Sequence, residues 1–561
     1  MKIFYPDIEL EKLLVQRLKK LNYFDETDLA FNRSREWGDL SSPVALRLAR
    51  KHSAKPVEVA NKIIANLKLP KWVDQVGIAG QGFINFKLSN KYLLEVIGSV
   101  YELPFFKPKR KRKIIVEYSS PNIAKPFGVG HLRSTIIGDA VANFHDALGD
   151  DVTRVNHLGD WGTQFGKLIY AYDRWGNADL LEKDPINEMY RLYVKFHSEA
   201  EMDPSIENKA RYWFKKLEEG DSEAVRVWKK FSTWSLKEFG RIYDLLGVKF
   251  DVIMGESEYQ KYITVVLSEC RRKGLLKESQ DAQIIKLDKD KTPALLVKKD
   301  GATLYLTRDL AALYYRLKIE KADIVIYHVG EEQTLHFEQL FDIAIKLGWA
   351  SEEQLVFAPH GLLRLPEGRM STRHGNVIKL DDLLNEAVAR ARKIIDDKNP
   401  GLSVSDKENI ALSVGIGAIK YNDLSNHRTT GIIFDWDKVL NLQGNSAPYL
   451  QYTFARLSSI LRKANARPRV GKSLNDDEQE IALYAAQFEN VVSSAAASCA
   501  PSIIAQYLYE FAGVLSKYYE KYQVIKSDVK TRRHRLAVIK CGSFVLETGL
   551  NLLGIDAPNE I

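Results

Sequence analysis

The strongest constraint on this chain is one stretch, "KIIVEYSSPNIAKPFGVGHLRSTIIGDAVANF", from Lys113 to Phe144. It opens as a short apolar run of the kind that forms a strand. It closes as a helix, because Leu132, Ile136, Ile137, Ala140, Val141 and Phe144 recur at a spacing close to 3.6. Between the two lie Lys125, Pro126, Gly128, Gly130 and His131. A glycine-containing turn from strand to helix makes room for a ligand and aims unpaired N–H groups at it. The partial positive charge at the helix start makes phosphate the natural guest. The two glycines alone fit a tight turn packed against a sheet equally well.

The same alternation recurs along the chain. "DVTRVNHLGDWGTQFG", "KFDVIMG", "GATLYLT" and "ADIVIYHVG" read as further strands or strand-to-turn units. The expected fold class is therefore α/β, with a Rossmann-like parallel-sheet catalytic domain over residues 111–380. Residues from about 175 to 250 are charged and helical in pattern, an insertion between the halves of the sheet. Residues 1–110 mix the helical "LEKLLVQRLKKL" and "VEVANKIIANL" with a strand-like "GQGFINFKL", which suggests a small N-terminal α/β domain. Beyond about Leu380 strand signals vanish. A helical connecting region over 381–440 and an all-helical bundle over 441–561 are expected. The basic run "KPKRKRK" at 107–113 reads either as a solvated linker or as a contact to a phosphate backbone.

With 561 residues the chain exceeds one ordinary core, and about three or four domains are expected. Hydrophobic residues at 45% against 27% charged mark a soluble globular protein. The net charge of +8 permits an anionic partner without demanding one. Cys270, Cys499 and Cys541 are far apart and no C-x-x-C occurs, so neither a bound metal nor a disulfide framework is expected. No apolar signal region and no apolar run of ~18 residues is seen, so a cytoplasmic protein with no membrane partner is expected.

"PFGVGH" resembles the H-x-G-H signature of class I aminoacyl-tRNA synthetases, with Gly128 at the first histidine position. The wider "SSPNIAKPFGVGHLRSTIIGDA", then "NHLGDWGTQFG", "LYLTRDLAA", "GRMSTRHGNV" and "QGNSAPYLQYTFAR", resemble the arginyl-tRNA synthetase family in the same chain order. Five ordered motifs are far more specific than any one. The resemblance implies activation of L-arginine by ATP with Mg2+, then esterification to the terminal adenosine of tRNA(Arg), by a monomer whose activation step needs bound tRNA. It implies phosphate contacts from Lys125 and His131, adenine space at Gly130, and an ATP-clamping loop of Arg369, Met370, Ser371 and Arg373. Thr372 stands where that loop has a lysine, and Lys125 is expected to share the missing charge with Arg373. Gly128 removes a donor, which costs roughly 1.5–3 kcal/mol if nothing replaces it.

For the amino acid, the resemblance assigns Glu256 and Asp309 to the guanidinium, Tyr305 to a wall of the pocket, and Asn122 and Gln333 to the α-amino and carboxylate ends. A guanidinium is a planar, permanently charged fork of donors, so a site of fixed carboxylates suits it. Such a site rejects analogues lacking those groups by about 10⁴–10⁵, so no editing domain is expected. Taken singly, Asp309 also fits an N-cap, Glu256 an exposed turn, Lys125 a solvated loop and His131 a helix cap. Phe83 and Asn85 match positions that meet a D-loop base of the tRNA, though Phe83 also fits plain strand core. The basic "KSDVKTRRHRL" at 526–536 suits an anticodon loop. A synthetase for glutamate, glutamine or cysteine, or a tRNA-binding paralogue without catalysis, are the competing readings. Carboxylates in the pocket repel an acidic substrate, and no zinc ligands serve a cysteine pocket.

Overall fold

The computed structural model describes residues 6–23, 31, 38–100, 111–279, 282–287, 292–299, 303–364 and 380–561. At the N-terminal end, β1 (Leu40–Ser42), β3 (Phe83–Leu88) and β2 (Val73–Ala79) form an antiparallel sheet in that order. Helices Val44–Lys51 and Pro56–Ile64 pack on it. Helices Pro6–Lys20 and Asn90–Ser99 lean instead on the C-terminal helix Asp476–Ser498.

The centre is a parallel sheet built from β4 (Lys113–Glu117), β5 (Asp151–Leu158) and β6 (Val252–Gly255). A small antiparallel sheet of β7 (Leu276–Ser279), β8 (Ala282–Ile285) and β9 (Ala294–Val297) follows in the chain. Then β10 (Ile324–Tyr327) and β11 (Leu355–Phe357) complete the central sheet in the order β11-β10-β4-β5-β6. Ile114, Ile115 and Val116 are all buried, as a strand covered on both faces requires. The strand order reverses between β4 and β10, and ligands of such sheets sit in the crevice beyond the strand ends at that point.

The helix after β4, Val129–Ala147, is buried nearly all round. A Cβ on Gly138 would lie 2.1 Å from the Cβ of Tyr118, so this helix meets the sheet where only glycine fits. Helices Ala178–Lys183, Pro185–Met202, Ile206–Glu218 and Ser222–Leu246 stand between β5 and β6, where the charged helical insertion was expected. From Leu380 the described chain is helical, with long antiparallel helices Ala447–Lys463, Asp476–Ser498, Pro501–Lys521 and Val529–Leu552.

Two expectations change. Strands do not end at Leu380, because β12 (Leu363–Arg364) pairs in parallel with β13 (Ile432–Ile433). "GATLYLT" is not a strand either. Thr303 makes a single bridge to Val297, and a helix runs from Tyr305 to Tyr314. Leu306, Leu310 and Leu313 are buried at helical spacing, and Thr307 Oγ1 donates to the Leu296 carbonyl at 2.6 Å. Burial thus overrides the β preference of the local sequence. Among the described residues of the basic run Lys111 is exposed to solvent, whereas the next two are engaged. Arg112 pairs with Asp150 at 2.6 Å and Lys113 with Glu320 at 2.8 Å, beside the sheet.

Arg133, fully buried in helix Val129–Ala147, ties the sheet to the helical part. Its Nε lies 3.0 Å from Asp423, and its Nη1 donates to the carbonyls of Gly361 and Thr430 at 2.9 and 2.8 Å. Breaking a buried pair on one side strands a charge, at a cost of about 3–5 kcal/mol. Arg133→Met is expected to lower stability by that amount in urea denaturation, and Arg133→Met/Asp423→Leu by clearly less.

Candidate active site

The chain leaves β4 through a loop that few residues adopt without help. Ser119, Ser120 and Ala124 have φ of +69°, +48° and +62°, left-handed values that cost non-glycine residues about 1–3 kcal/mol each. Side chains hold each one. Ser134 Oγ accepts from Ser119 N–H at 3.0 Å, Asn156 Oδ1 from Ser120 N–H at 3.2 Å, and Ser235 Oγ from Ala124 N–H at 2.9 Å. The Ser119 hydroxyl also lies 2.8 Å from that of Tyr243, on the same insertion helix as Ser235. Asn122 bridges to Gly159 after β5, where an added Cβ would lie 2.2 Å from Asn122 Oδ1. The loop is therefore held by the end of β5, by helix Val129–Ala147 and by the insertion.

It delivers the chain to the start of helix Val129–Ala147. Gly128 is the N-cap, and its N–H donates to His131 Nδ1 at 3.2 Å. Accepting at Nδ1 leaves the ring proton on Nε2. Desolvation, with the charge of Lys125 adding to it, lowers the His131 pKa to about 4. His131 is thus a neutral donor at physiological pH. A Cβ on Gly130 would meet nothing within 4 Å, so this glycine keeps a flat approach to the backbone open.

These residues open on a cavity of about 730 Å³ at the crevice between β4 and β10. It gathers seven residues expected from sequence: Asn122, Gly128, Gly130, His131, Glu256, Asp309 and Gln333. Lys125 and Tyr305 stand beside it. Lys125 Nζ lies 5.1 Å over the Tyr193 ring, and the Arg308 guanidinium lies 4.6 Å over the half-exposed Tyr305. Asp309 is no N-cap, since it sits in the second turn of its helix. Glu256 is buried, not in an exposed turn. Phe83 and Asn85 lie far along the chain on β3. Phe83 is 36% exposed, whereas Asn85 is buried and donates its amide to the Phe83 carbonyl at 3.1 Å. Asn85 therefore ties its amide nitrogen to the strand under Phe83, while its Oδ1 is buried with no hydrogen-bond partner among the described residues. Arg369, Met370, Ser371, Thr372 and Arg373 lie outside the described residues.

At the far end of the cavity buried charges are arranged in pairs. Arg316 ion-pairs with Glu117 at the end of β4. Arg308 Nε reaches Glu256 Oε2 at 2.5 Å. Asp309 is held by His336 at 2.6 Å and faces His157 at 3.6 Å. Burial tends to raise the Asp309 pKa, but the His336 hydrogen bond and the charges of His336, His157 and Arg316 keep it below the usual range. Burial pushes the Glu256 pKa up, with Asp309 adding, while the Arg308 guanidinium bonded to it opposes the shift and favours the charged carboxylate. His157, His336, Arg308, Arg316 and Glu117 escaped the sequence reading. His157 and Arg308 stood inside the motifs quoted for it, in "NHLGDWG" and "LYLTRD". Among the described residues no group of His, Cys, Asp and Glu could hold a metal ion.

Comparison with known proteins agrees with this geometry. Residues 101–436 match the model for "tRNA synthetases class I (R), catalytic domain". Residues 9–88 match "Arginyl tRNA synthetase N terminal domain" and 450–561 "DALR anticodon binding domain". The arginine–tRNA ligase of Halothermothrix orenii is 39% identical over 99% of both chains. That of Clostridium perfringens is 45% identical over 80% of both. The chain belongs to the arginyl-tRNA synthetase family. The crystal structure of the Thermus thermophilus enzyme superposes with a TM-score of 0.87 at 25% identity, covering 99% of this chain and 100% of that one. The synthetase is thus a class I arginine–tRNA ligase, with arginine, ATP and tRNA(Arg) as its substrates. No helix among the described residues is long and apolar enough to cross a membrane.

Three histidines at the cavity make the fold acid-sensitive. His328 follows β10, is fully buried, and neither ring nitrogen has a hydrogen-bond partner among the described residues. Desolvation holds its pKa well below the usual value, and that of His360, 5.1 Å away, at about 4. An unfolded chain protonates histidine near pH 6.5, whereas this fold keeps His131, His328 and His360 neutral. Their contribution is therefore complete above that pH and is lost as pH falls toward 4. The melting temperature is expected to drop between pH 7 and 5, and less steeply in His328→Leu.

Proposed function

We propose that the synthetase works in two steps in this one cavity. The substrate carboxylate attacks the α-phosphorus of ATP, bound as its magnesium complex. One P–O bond forms, the bond to the β-phosphate oxygen breaks, and pyrophosphate leaves. A hydroxyl of the terminal adenosine of tRNA then attacks the arginyl carbonyl, and AMP departs. No covalent enzyme intermediate is needed, so catalysis consists of placing reactants and stabilising charge.

His131 donates from Nε2 to the phosphates, at the positive end of helix Val129–Ala147. Gly130 leaves space for adenine, and Lys125 supplies the charge that Thr372 lacks. Arg369, Met370, Ser371 and Arg373 serve as contacts to ATP and the leaving pyrophosphate. Asp309 and Glu256 receive the guanidinium, Tyr305 walls it, and Asn122 and Gln333 hold the α-amino and carboxylate ends. The observation that carries this reading is the convergence of Gly130 and His131, Glu256, and Asp309 on one cavity from three separate chain segments. Phe83 stacks on an unpaired D-loop base, with Asn85 beneath it. The synthetase acts as a cytoplasmic monomer divided near residues 110, 380 and 440, and bound tRNA is required for activation.

Arginine-dependent ATP–pyrophosphate exchange tests this. Exchange is expected with cognate tRNA and to be absent without it; exchange in its absence would remove the tRNA requirement. Asp309→Asn is expected to raise the arginine KM about 10–100-fold with little effect on that for ATP, because a charge-assisted contact is lost. An unchanged arginine KM would exclude Asp309 from the pocket. Lys125→Ala is expected to slow exchange far more than it weakens tRNA binding in a filter assay. Equal losses would make Lys125 an RNA contact.

A further inference from the structure

Arg308 is the arginine that contacts a carboxylate assigned to the guanidinium, and the two-step reading gives it no place. It is 7% exposed and Glu256 is 5% exposed. Its Nε takes one oxygen of Glu256, and its plane stacks on Tyr305. A buried carboxylate without a cation is costly, and here Asp309 and Asp160 bring further negative charge to Glu256. Asp160 is occupied elsewhere, accepting from Ser257 N–H at 3.0 Å and its hydroxyl at 2.6 Å. Glu117 is matched by Arg316. With Arg308 matched to Glu256, Asp309 differs in having histidines as its direct partners, His336 at 2.6 Å and His157 at 3.6 Å, while the Arg316 charge acts on it without an ion pair.

We infer that Arg308 is a specificity-determining positioning residue, which offsets the charge of Glu256 and orients it so that the pocket offers a substrate guanidinium the histidine-held carboxylate of Asp309 and the second oxygen of Glu256. The inference rests on the reading that Glu256 and Asp309 receive the guanidinium. A carboxylate has acceptor capacity for two such forks. Glu256 is then shared by two guanidinium groups, the internal one fixed and the substrate's exchangeable. A neutral isostere such as citrulline brings no charge and fewer donors to these two carboxylates, so it is bound less well.

The test is a double-mutant cycle in the full-length enzyme with tRNA, reading the arginine KM, the ATP KM and inhibition by citrulline. Glu256→Gln strands Arg308 beside the incoming guanidinium. It is expected to raise the arginine KM about tenfold or more and to narrow the preference for arginine over citrulline. Glu256→Gln/Arg308→Met removes both charges and is expected to recover several-fold in arginine KM and in that preference, with the ATP KM unchanged. Arg308→Lys keeps the charge and is expected to lie nearer wild type than Arg308→Met; it carries the test if the methionine variant does not fold. If the two losses simply multiply and lysine rescues nothing, Arg308 is only a packing residue and the inference falls while the pocket stands. If Glu256→Gln leaves the arginine KM and the citrulline discrimination untouched, Glu256 does not meet the substrate, and the pocket assignment falls with it.

Discussion

The helix Val129–Ala147 starts at the phosphate end of the cavity and cannot move without carrying the rest of the catalytic centre with it. Arg133 holds it there. Two residues beyond His131, this fully buried guanidinium reaches Asp423 in helix Val404–Leu424 and the carbonyls of Gly361 and Thr430. One side chain therefore joins the β4 helix, the chain beyond β11 and the helical C-terminal part. Three acceptors on Nε and Nη1 fix the plane of this guanidinium and hence the helix that carries it. The N-terminus of the helix inherits that rigidity, and so does the direction in which His131 donates.

The same logic explains the strained loop. Ser119, Ser120 and Ala124 occupy left-handed conformations because four side chains from three elements accept from or bond to them. Two of the four, Ser235 and Tyr243, come from the last insertion helix, so that helix is mechanically part of the site. A ligand or RNA that displaced the insertion would relax the loop that carries Asn122. Strain of a few kcal/mol concentrated at a binding loop is a common device for presenting a side chain in a fixed pose.

The two ends of the cavity use opposite electrostatics. At one end stand a helix N-terminus, Lys125 nearby and a neutral histidine. At the other stand buried carboxylates, of which Glu117 and Glu256 already have arginine partners. That gradation along the cavity suits the proposed placing of phosphates at the first end and a guanidinium at the second.

The strand–turn–helix at Lys113–Phe144 was readable because its signals are local: apolar periodicity, two glycines and a helix start lie within some thirty residues. The parallel sheet, the helical insertion and the C-terminal bundle followed from the same kind of periodicity, and the ordered motifs singled out Gly130, His131, Glu256, Asp309 and Gln333. What sequence could not supply was pairing across long separations. "GATLYLT" looks like a strand until Leu306, Leu310 and Leu313 find a core to bury in. The strand pair Leu363–Arg364 and Ile432–Ile433 joins residues some seventy apart. Likewise, nothing local says that Arg308 turns to Glu256, that His336 turns to Asp309, or that Asn85 is buried while Phe83 is not. Residue types and local periodicity are properties of the chain. Desolvation, ion-pair choice and strand partners are properties of the packed interior, where each charge must find the one neighbour that offsets its loss of water.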